Sequence, residues 1–427
     1  MATSASERTS PALELGAFID RSPSPYHAVA SVAELLGAAG FEQMDEADAW
    51  GPGDAGFVCR GGSLVAWRRG ADADPLDGFR IVGAHTDSPN LRIKPQPDTG
   101  AAGVSQLGVE VYGGVLLNSW LDRDLGISGR VAVAGDGLEA RLLNVSEPVL
   151  RVPQLAIHLH REINDSGLKL NRQTHMAPLW MDGGSTEGAF ASWVAERLGI
   201  DAAAIRGWDL MAHDLTPASL LGADSAFLAA PRIDNLASCY AGTLAITSAP
   251  VGRTAVLCLF DHEEVGSVSR SGAGGSLLPA VVERLHTANG GDRSDLQRAL
   301  AVSACISADG AHATHPNYVD RHEPDHQVAL NGGPVIKRNA NERYATDAMG
   351  QAIAEEACRE ADVPFQLFVN RTDLACGSTI GPVTAAQLGV TTVDMGIAQL
   401  SMHSARELCG ASDPGRLTAA LTAFYRS

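Results

Sequence analysis

One acidic stretch of the sequence has the residue types that metal binding and proton transfer require. Residues 260–267 read Phe-Asp-His-Glu-Glu-Val-Gly-Ser and follow an apolar run at 255–259. The apolar run predicts a buried strand, and open α/β sheets build their sites at the carboxyl ends of such strands. If the backbone stays extended, Glu263 and Glu264 point in opposite directions, so one could hold a metal while the other faces a water. Taken alone, the stretch favours the simpler interpretation of an acidic helix start, which the helix dipole stabilises.

Further metal-type side chains accompany other predicted elements. They lie at His85 and Asp87 after a strand at 79–84, at Asp309 after a strand at 301–308, at His403 beyond a strand at 390–395, and at Asp234 before a helix at 235–247. Each position alone has a simpler explanation, because a single histidine after a strand is usually structural and an aspartate before a helix is usually an N-cap. Together they are expected to converge, because a parallel sheet brings the carboxyl ends of its strands to one edge.

The combined set of two imidazoles and three carboxylates suits a pair of divalent ions that share one bridging carboxylate. Such a pair can activate one water and polarise one carbonyl. Zinc is the metal that these ligands favour, with manganese and cobalt as alternatives. Asp87, two residues beyond His85, fits as the carboxylate that receives the second imidazole proton and fixes the tautomer.

The spacing of apolar residues predicts an α/β protein with a mostly parallel sheet and helices on both faces. From residue 232 onward the two element types alternate, with helices at 235–247, 277–287, 344–361 and 413–425 and strands at 254–260, 301–308, 365–369 and 390–395. Between 95 and 229 the pattern changes to polar loops and hairpins, one of them around a turn at 135–137. We therefore expect a discontinuous catalytic domain, residues 1–94 and 230–427, interrupted by a β-rich insertion at 95–229.

The bulk composition excludes several classes of protein. A chain of 427 residues, 45% of them hydrophobic, is long enough to bury a sizeable core. Its net charge of −18 argues against nucleic acid or an anionic membrane as a partner. The seven cysteines are scattered without C-x-x-C spacing, and no apolar signal segment is present. We therefore expect a cytoplasmic protein from a reducing compartment.

Six short motifs occur in order along nearly the whole chain. They are His-Thr-Asp-Ser-Pro at 85–89, Arg-Ile-Asp-Asn at 232–235, Glu-Glu-Val-Gly-Ser at 263–267, Ser-Ala-Asp at 307–309, His-Pro-Asn-Tyr at 315–318 and Met-His-Ser at 402–404. Together they resemble the motifs of the aspartyl aminopeptidase family of dinuclear zinc exopeptidases. The resemblance implies hydrolysis of N-terminal residues, preferentially Asp or Glu, from peptides. It also implies a phosphorylase/hydrolase-like catalytic domain, an inserted β-rich dimerisation domain, and assembly into a tetrahedral dodecamer.

The resemblance implies a role for each candidate residue. The implied metal ligands are Asp234 as the bridge, His85 and Asp309 on one ion, and Glu264 and His403 on the other. Glu263 is the catalytic residue that the resemblance implies, and we expect Asp87 to be a catalytic residue as well. Glu263 would act as the general base that takes a proton from the metal-activated water and hands it to the leaving amine. Asp87 would act through the imidazole that it orients.

Two further residues are candidates for substrate binding. An acidic substrate needs a cation within a Debye length of about 8 Å to outweigh the distant negative charges of this chain. Lys337 matches the family's carboxylate-binding lysine, although a lysine that closes an apolar triplet is otherwise a solvated strand end. His158 matches a histidine that reaches into a neighbouring subunit's site. His160 could be the one that reaches instead, and a strand pair within the insertion is the structural alternative.

Other functions and motifs compete with this interpretation. A relative with the same metals could prefer neutral residues or remove acyl groups, and a non-catalytic assembly or cargo protein could keep the metals for structure. Residues 322–326 match the H-E-x-x-H signature of a different class of zinc protease. That motif requires a helix, in which Pro324 would remove a backbone donor and clash one turn back, so we reject it as a metal site.

Overall fold

The computed structural model describes residues 5–51, 53–70, 74–248 and 252–427. The α-helices, in chain order, are α1 Ala5–Arg21, α2 Pro25–Ala38, α3 Ile163–Ser166, α4 Ala189–Leu198, α5 Ile233–Ser248, α6 Leu277–Ala288, α7 Arg293–Ala301, α8 Ala348–Glu360, α9 Ile380–Leu388 and α10 Asp413–Arg426. The β-strands, in chain order, are β1 Glu42–Gln43, β2 Ala55–Arg60, β3 Ser63–Arg68, β4 Phe79–His85, β5 Asn90–Ala101, β6 Val104–Tyr112, β7 Leu125–Ala134, β8 Leu138–Leu150, β9 Leu179–Asp182, β10 Ile205–Asp214, β11 Ser219–Leu221, β12 Phe227–Ala230, β13 Thr254–Phe260, β14 Ala304–Ala308, β15 Ala311–His312, β16 Val335–Arg338, β17 Gln366–Val369, β18 Thr391–Gly396, β19 Ala398–Leu400 and β20 Glu407–Gly410. Within these described residues, no helix has the length and apolarity that crossing a membrane would need.

The chain divides into two compact units. The first joins the described residues up to Asp87 to Ala218–Met402 and Glu407–Ser427. The second joins Ser88–Pro217 to His403–Arg406. These limits differ from the domain boundaries expected after residues 94 and 229, and that domain assignment stays a prediction.

The first unit is built on a nine-stranded sheet with the order β1-β2-β3-β13-β4-β14-β18-β16-β17. Its central strands β13, β4, β14 and β18 are parallel, whereas β3 is antiparallel to β13 and β16 is antiparallel to β18. The predicted α/β class is confirmed. The central strands of the sheet are parallel, and an antiparallel pairing lies on each side of them. β4, β13 and β14 run in the same direction. Their last residues His85, Phe260 and Ala308 therefore lie on the same side of the sheet, where the carboxyl ends of the parallel strands meet.

Helices bury both faces of this sheet. Successive side chains of a strand point to opposite faces. Accordingly, Val82 and Leu257 pack in a core with residues of α1, α2, α5 and α10, whereas Ile81 and Val256 pack in a second core with residues of α6, α7 and α9. Burial on both sides explains why β13, and β4 apart from Arg80, carry mostly apolar residues without the alternation of a half-buried strand.

A smaller five-stranded sheet, with the order β11-β12-β20-β19-β15, also belongs to the first unit. β20 pairs antiparallel with both β12 and β19, and Ala230 at the end of β12 lies opposite Glu407 at the start of β20. The sheet carries two buried polar residues, Gln399 in β19 and Glu407 in β20. Strands of three and four residues are too short to show a clear alternation, so this sheet is not predicted by the apolar pattern.

The second unit contains a six-stranded sheet with the order β8-β7-β10-β5-β6-β9, in which every pairing is antiparallel. β7 and β8 form the hairpin that was expected around the turn at 135–137. Phe190 of α4 packs edge-on against Trp180 and Trp208, with ring centroids 5.7 and 5.4 Å apart. This aromatic cluster anchors α4 on the sheet.

Two helices of the first unit are not predicted by the apolar pattern. α7 precedes β14 and shortens the strand expected at 301–308 to Ala304–Ala308. Its N-cap is Asp292, which accepts the Asp295 N–H at 2.9 Å. α9 begins with a glycine and a proline in its first turn, residues with low helix propensity, so burial of Ile380 and Leu388 must support it.

Candidate metal centre and active site

The acidic stretch after β13 forms a tight turn. β13 ends at Phe260, His262 adopts a left-handed backbone with φ of 69°, and Glu263–Val265 forms one turn of 3₁₀ helix. The backbone of Glu263 and Glu264 is therefore not extended, so the opposite orientation considered for an extended chain does not apply. The alternative interpretation was an acidic helix start. The structure has only this single turn of 3₁₀ helix there, with both glutamates in it. Both carboxylates nevertheless lie at the sheet edge where β4 and β14 end.

The Asp87 carboxylate holds this turn in place. Its Oδ1 accepts the Glu263 N–H at 3.0 Å, and its Oδ2 accepts the Glu264 N–H at 3.1 Å. The Asp87 carbonyl oxygen and Oδ1 also lie 3.0 and 3.4 Å from His85 Nδ1. Because both neighbours of Nδ1 are acceptors, Nδ1 carries a proton, and Nε2 is the nitrogen that can bind a metal. The fully buried Asp87 thus orients Glu263, Glu264 and His85 together.

The charges around His85 are strongly coupled. Burial alone would lower the pKa of His85, but hydrogen bonds with Asp309 and Asp87 and the nearby Glu263 raise it well above its ordinary value. A divalent cation and the Nε2 proton therefore compete for the same position. Burial raises the pKa of Glu263 to about 8, with His85 opposing the shift and Asp309, Asp87 and Asp234 adding to it.

Asp309 lies directly after β14, between an imidazole and an ammonium group. Its Oδ1 is 3.3 Å from His85 Nε2, and its Oδ2 is 3.2 Å from Lys337 Nζ. Burial acts to raise the pKa of Asp309, but Lys337 and His85 outweigh burial and hold that pKa well below its usual range. Asp309 is therefore a carboxylate at neutral pH. The alternative of a solvated strand end for Lys337 is wrong, because its side chain is 1% exposed.

Asp234 is held by two residues that do not stand out in the sequence. It is the second residue of α5, so it is not the N-cap of that helix, and its Oδ2 lies 3.9 Å from His85 Nε2. Gln399 donates its side-chain N–H to Asp234 Oδ1 at 2.9 Å, and Glu407 Oε2 accepts the Asp234 N–H at 3.0 Å. The sequence gives one indication that Gln399 and Glu407 lie near the site, which is their position on either side of the motif at 402–404.

Within the described residues of the first unit, two groups of ligand atoms lie close enough to share an ion. One atom from each of His85, Asp234 and Asp309 lies within 4.8 Å of the others, and the same holds for His85, Glu263 and Glu264. Carboxylates packed this closely repel one another unless a cation neutralises them. Imidazole nitrogen and carboxylate oxygen are donors that zinc takes in proteins. These residues therefore fit a zinc centre.

Comparison with known proteins identifies the family. The sequence profile described as aminopeptidase I zinc metalloprotease (M18) matches residues 18–425. The chain belongs to the M18 family of zinc aminopeptidases. A probable M18 family aminopeptidase 2 from Streptomyces avermitilis is 52% identical to this chain over 418 residues, which cover 96% of each of the two proteins.

Two solved structures share the fold of this M18 chain. The matched chain in the cryo-EM structure of the Ape4 and Nbr1 complex is 37% identical, with a TM-score of 0.95 and coverage of 100% of this chain and 87% of that chain. The matched chain in the structure of the S. cerevisiae mApe1 dodecamer is 30% identical, with a TM-score of 0.85 and coverage of 98% and 97%. The predicted family, fold class and aminopeptidase activity are thereby confirmed.

Two other candidate residues of this M18 chain lie in the second unit. His403 belongs to its segment His403–Arg406, where Nδ1 lies 3.1 Å from the Gly114 carbonyl oxygen. Its part in metal binding stays a prediction. His158 is exposed within the 3₁₀ turn Ile157–Leu159, so the alternative of a strand pair at this position is wrong.

The H-E-x-x-H segment of this M18 chain forms a turn and no helix. His322 has an extended backbone, and its Nε2 accepts the His315 N–H at 3.0 Å. His326 Nδ1 lies 2.5 Å from Glu323 Oε2, one of the carboxylate oxygens of the same turn. The two histidines therefore do not share the helix face that a zincin site requires.

Proposed function

We propose that the chain is a two-metal aminopeptidase that removes N-terminal residues, preferentially Asp or Glu, from peptides. One observation carries the proposal. Ligand atoms of His85, Asp234 and Asp309, and of His85, Glu263 and Glu264, form two groups whose members lie within 4.8 Å of one another. Two such groups offer enough side chains both to hold ions and to move a proton.

Five residues are proposed to hold two divalent ions. Asp234 would bridge the ions, His85 and Asp309 would hold one of them, and Glu264 and His403 would hold the other. Zinc is the expected metal, with manganese and cobalt as alternatives that accept the same donors. When bound, the ions supply polarisation of the scissile carbonyl and a lower pKa for water.

Glu263 is the proposed general base. It lies beside Glu264 in the 3₁₀ turn, so it can face the attacking water while its neighbour holds an ion. Its carboxylate accepts a proton from that water and then delivers the proton to the leaving amine. Asp87 keeps this division of roles by binding the backbone N–H groups of both glutamates.

The proposal includes a preference for peptides whose N-terminal residue is Asp or Glu. A chain with a net charge of −18 repels an acidic peptide at long range. A cation within a Debye length of about 8 Å must therefore outweigh the distant charges. Lys337 is the residue that the resemblance assigns to this task.

We also propose a homo-oligomer, with a tetrahedral dodecamer as its form and the second unit as the dimerisation domain. The matched S. cerevisiae relative is a dodecamer. Around His158, the apolar side chains of Leu155, Ile157 and Leu159 are 55%, 47% and 75% exposed. Apolar surface of this kind is typical of a region that another chain covers. Either His158 or His160 would then reach a neighbour's site.

A panel of anilide substrates tests the activity and its preference. Asp-, Glu-, Asn- and Leu-p-nitroanilides vary the side chain, and an N-acetylated Asp-p-nitroanilide removes the free amine. We expect kcat/KM for Asp to exceed that for the nearly isosteric Asn at least about tenfold, because a charged hydrogen bond contributes about 1.5–3 kcal/mol. We expect no cleavage of the acetylated substrate.

Each competing function gives a different result with this panel. Faster cleavage of Leu than of Asp would indicate a neutral-residue preference. Turnover of the acetylated substrate would contradict the aminopeptidase assignment and favour a deacylase. A zinc-loaded protein that cleaves none of the substrates would favour an assembly or cargo protein with structural metals.

A further inference from the structure

Gln399 is a buried residue whose side-chain amide is directed at the Asp234 carboxylate. It lies in β19 and is 1% exposed. Its Nε2 donates to Asp234 Oδ1 at 2.9 Å. An ionised carboxylate only accepts hydrogen bonds, so the amide atom that faces Asp234 is the nitrogen and not the oxygen. This one bond therefore sets the orientation of the amide and of the carboxylate together.

The hydrogen bond gives the two oxygens of the Asp234 carboxylate different neighbours. Oδ1 accepts the Gln399 N–H, whereas Oδ2 lies 3.9 Å from His85 Nε2. The torsion that turns an aspartate carboxylate about its Cβ–Cγ bond is broad, so the side chain alone does not fix where each oxygen points. A donor on Oδ1 restricts that rotation. Gln399 thus keeps Oδ2 on the side of His85.

A glycine leaves room for this contact. A Cβ added to Gly310 would collide with Asp234 Oδ1 and would lie 2.8 Å from Gln399 Nε2. A side chain at residue 310 would therefore displace the carboxylate, the amide or both. Glycine permits such a close approach because it has no Cβ. The segment that follows Asp309 in this way passes directly beside the hydrogen bond.

The small five-stranded sheet supports Asp234 at two points. Glu407 in β20 accepts the Asp234 N–H at 3.0 Å. That N–H belongs to the first turn of α5, where backbone donors have no acceptor within the helix. β15 pairs with β19, so His312 lies opposite Gln399. The sheet therefore fixes the backbone of Asp234 through Glu407 and its carboxylate through Gln399.

Asp234 needs this support because other acidic groups lie close to it. One ligand atom from each of His85, Asp234 and Asp309 lies within 4.8 Å of the others. Carboxylates at such distances repel one another unless a cation neutralises them. A neutral N–H donor can hold a carboxylate against this repulsion without adding a positive charge that would compete with a metal ion.

We propose that Gln399 is a positioning residue that holds the Asp234 carboxylate in the orientation required to bind divalent ions. The inference rests on the proposed function, in which Asp234 bridges two ions. It assigns Gln399 a task through Asp234, because the ligand is ordered before the metal arrives and less ordering remains to be done on binding. Loss of a residue that orients a metal ligand typically costs about 10–100-fold in metal affinity or activity.

Gln399→Met tests this role, because methionine is similar in size and has no N–H donor. We expect zinc affinity, measured by competition with a chelating dye, to weaken about 10–100-fold. The visible absorption of the cobalt-substituted protein should change as well, because it reports on the arrangement of the ligands. Both readouts concern folded protein, so a loss of stability alone would not alter them.

Gln351→Met is the matched control. Gln351 of α8 also donates its side-chain N–H to a carboxylate oxygen, Glu355 Oε1, at 2.8 Å. The control variant therefore loses the same kind of bond on a helix that carries no proposed metal ligand. We expect its zinc affinity and cobalt absorption to equal those of the wild-type protein.

Unchanged zinc affinity and cobalt absorption in Gln399→Met would overturn the proposal, even if the variant melted at a lower temperature. If the variant does not fold, a crystal structure of the zinc-loaded wild-type protein decides. A zinc-bound Asp234 that still accepts the Gln399 N–H on Oδ1 would support the proposal, and an amide turned away from zinc-bound Asp234 would overturn it. Wild-type protein that binds no zinc would contradict the proposed function itself.

Discussion

Replacing Glu263 with glutamine is expected to lower kcat/KM for Asp-p-nitroanilide on the order of ten-thousandfold. Glutamine has nearly the same size but cannot accept a proton at neutral pH, so both proton transfers lose their carrier. The backbone N–H of residue 263 can still bind Asp87 Oδ1, which should keep the turn and Glu264 in place. Zinc content, measured by mass spectrometry of the purified protein, should therefore remain at the wild-type value.

Glu283→Gln provides the matched control for this variant. Glu283 is an exposed glutamate of α6, so the same chemical change there should leave both turnover and zinc content unaltered. Wild-type turnover by Glu263→Gln with zinc bound would remove Glu263 from the role of general base. Loss of zinc together with loss of turnover would make Glu263 a metal ligand instead.

Asp234→Asn is expected to reduce activity on the order of a thousandfold or more, and to lower zinc content as well. The asparagine side chain has no negative charge and only one oxygen, so it cannot bridge two ions as a carboxylate does. Bound metal contributes several kcal/mol to transition-state stabilisation, and each 1.4 kcal/mol corresponds to about a factor of ten in rate. Turnover and zinc content measured on the same preparation check both parts of the prediction.

Asp292→Asn is the control for the change at residue 234. Asp292 also lies at the start of a helix, where it caps α7 by accepting the Asp295 N–H at 2.9 Å. Asparagine caps helices about as well as aspartate, so this variant should keep its stability, zinc and activity. Full zinc content and full activity in Asp234→Asn would show that Asp234 does not bridge the ions.

The convergence of metal-type residues could be predicted because each of several candidates follows a buried strand. β4, β13 and β14 are largely buried strands, and their parallel pairing brings their carboxyl ends to the same side of the sheet. His85, Glu264 and Asp309 therefore meet for a reason that is visible in the sequence. The order of the motifs along the chain then indicates the aspartyl aminopeptidase family of zinc exopeptidases.

The residues that orient the ligands could not be predicted in the same way. Gln399 and Glu407 belong to strands of three and four residues, which are too short to show a pattern. Lys337 resembles a solvated strand end because its acceptors, Asp309 and Gly310, lie 28 and 27 residues earlier in the chain. The turn after β13 depends on the left-handed backbone of His262, a conformation that few residues other than glycine adopt and that no periodicity reveals.

Zinc titration of the metal-free protein, with turnover of Asp-p-nitroanilide followed in the same samples, tests the two-metal assignment most directly. The metal-free protein is prepared by dialysis against a chelator, and bound zinc per chain is measured at each step. We expect no turnover without metal, binding of two ions per chain, and full activity only after the second ion has bound. Turnover by the metal-free protein, or saturation with zinc without any hydrolysis, would contradict the assignment.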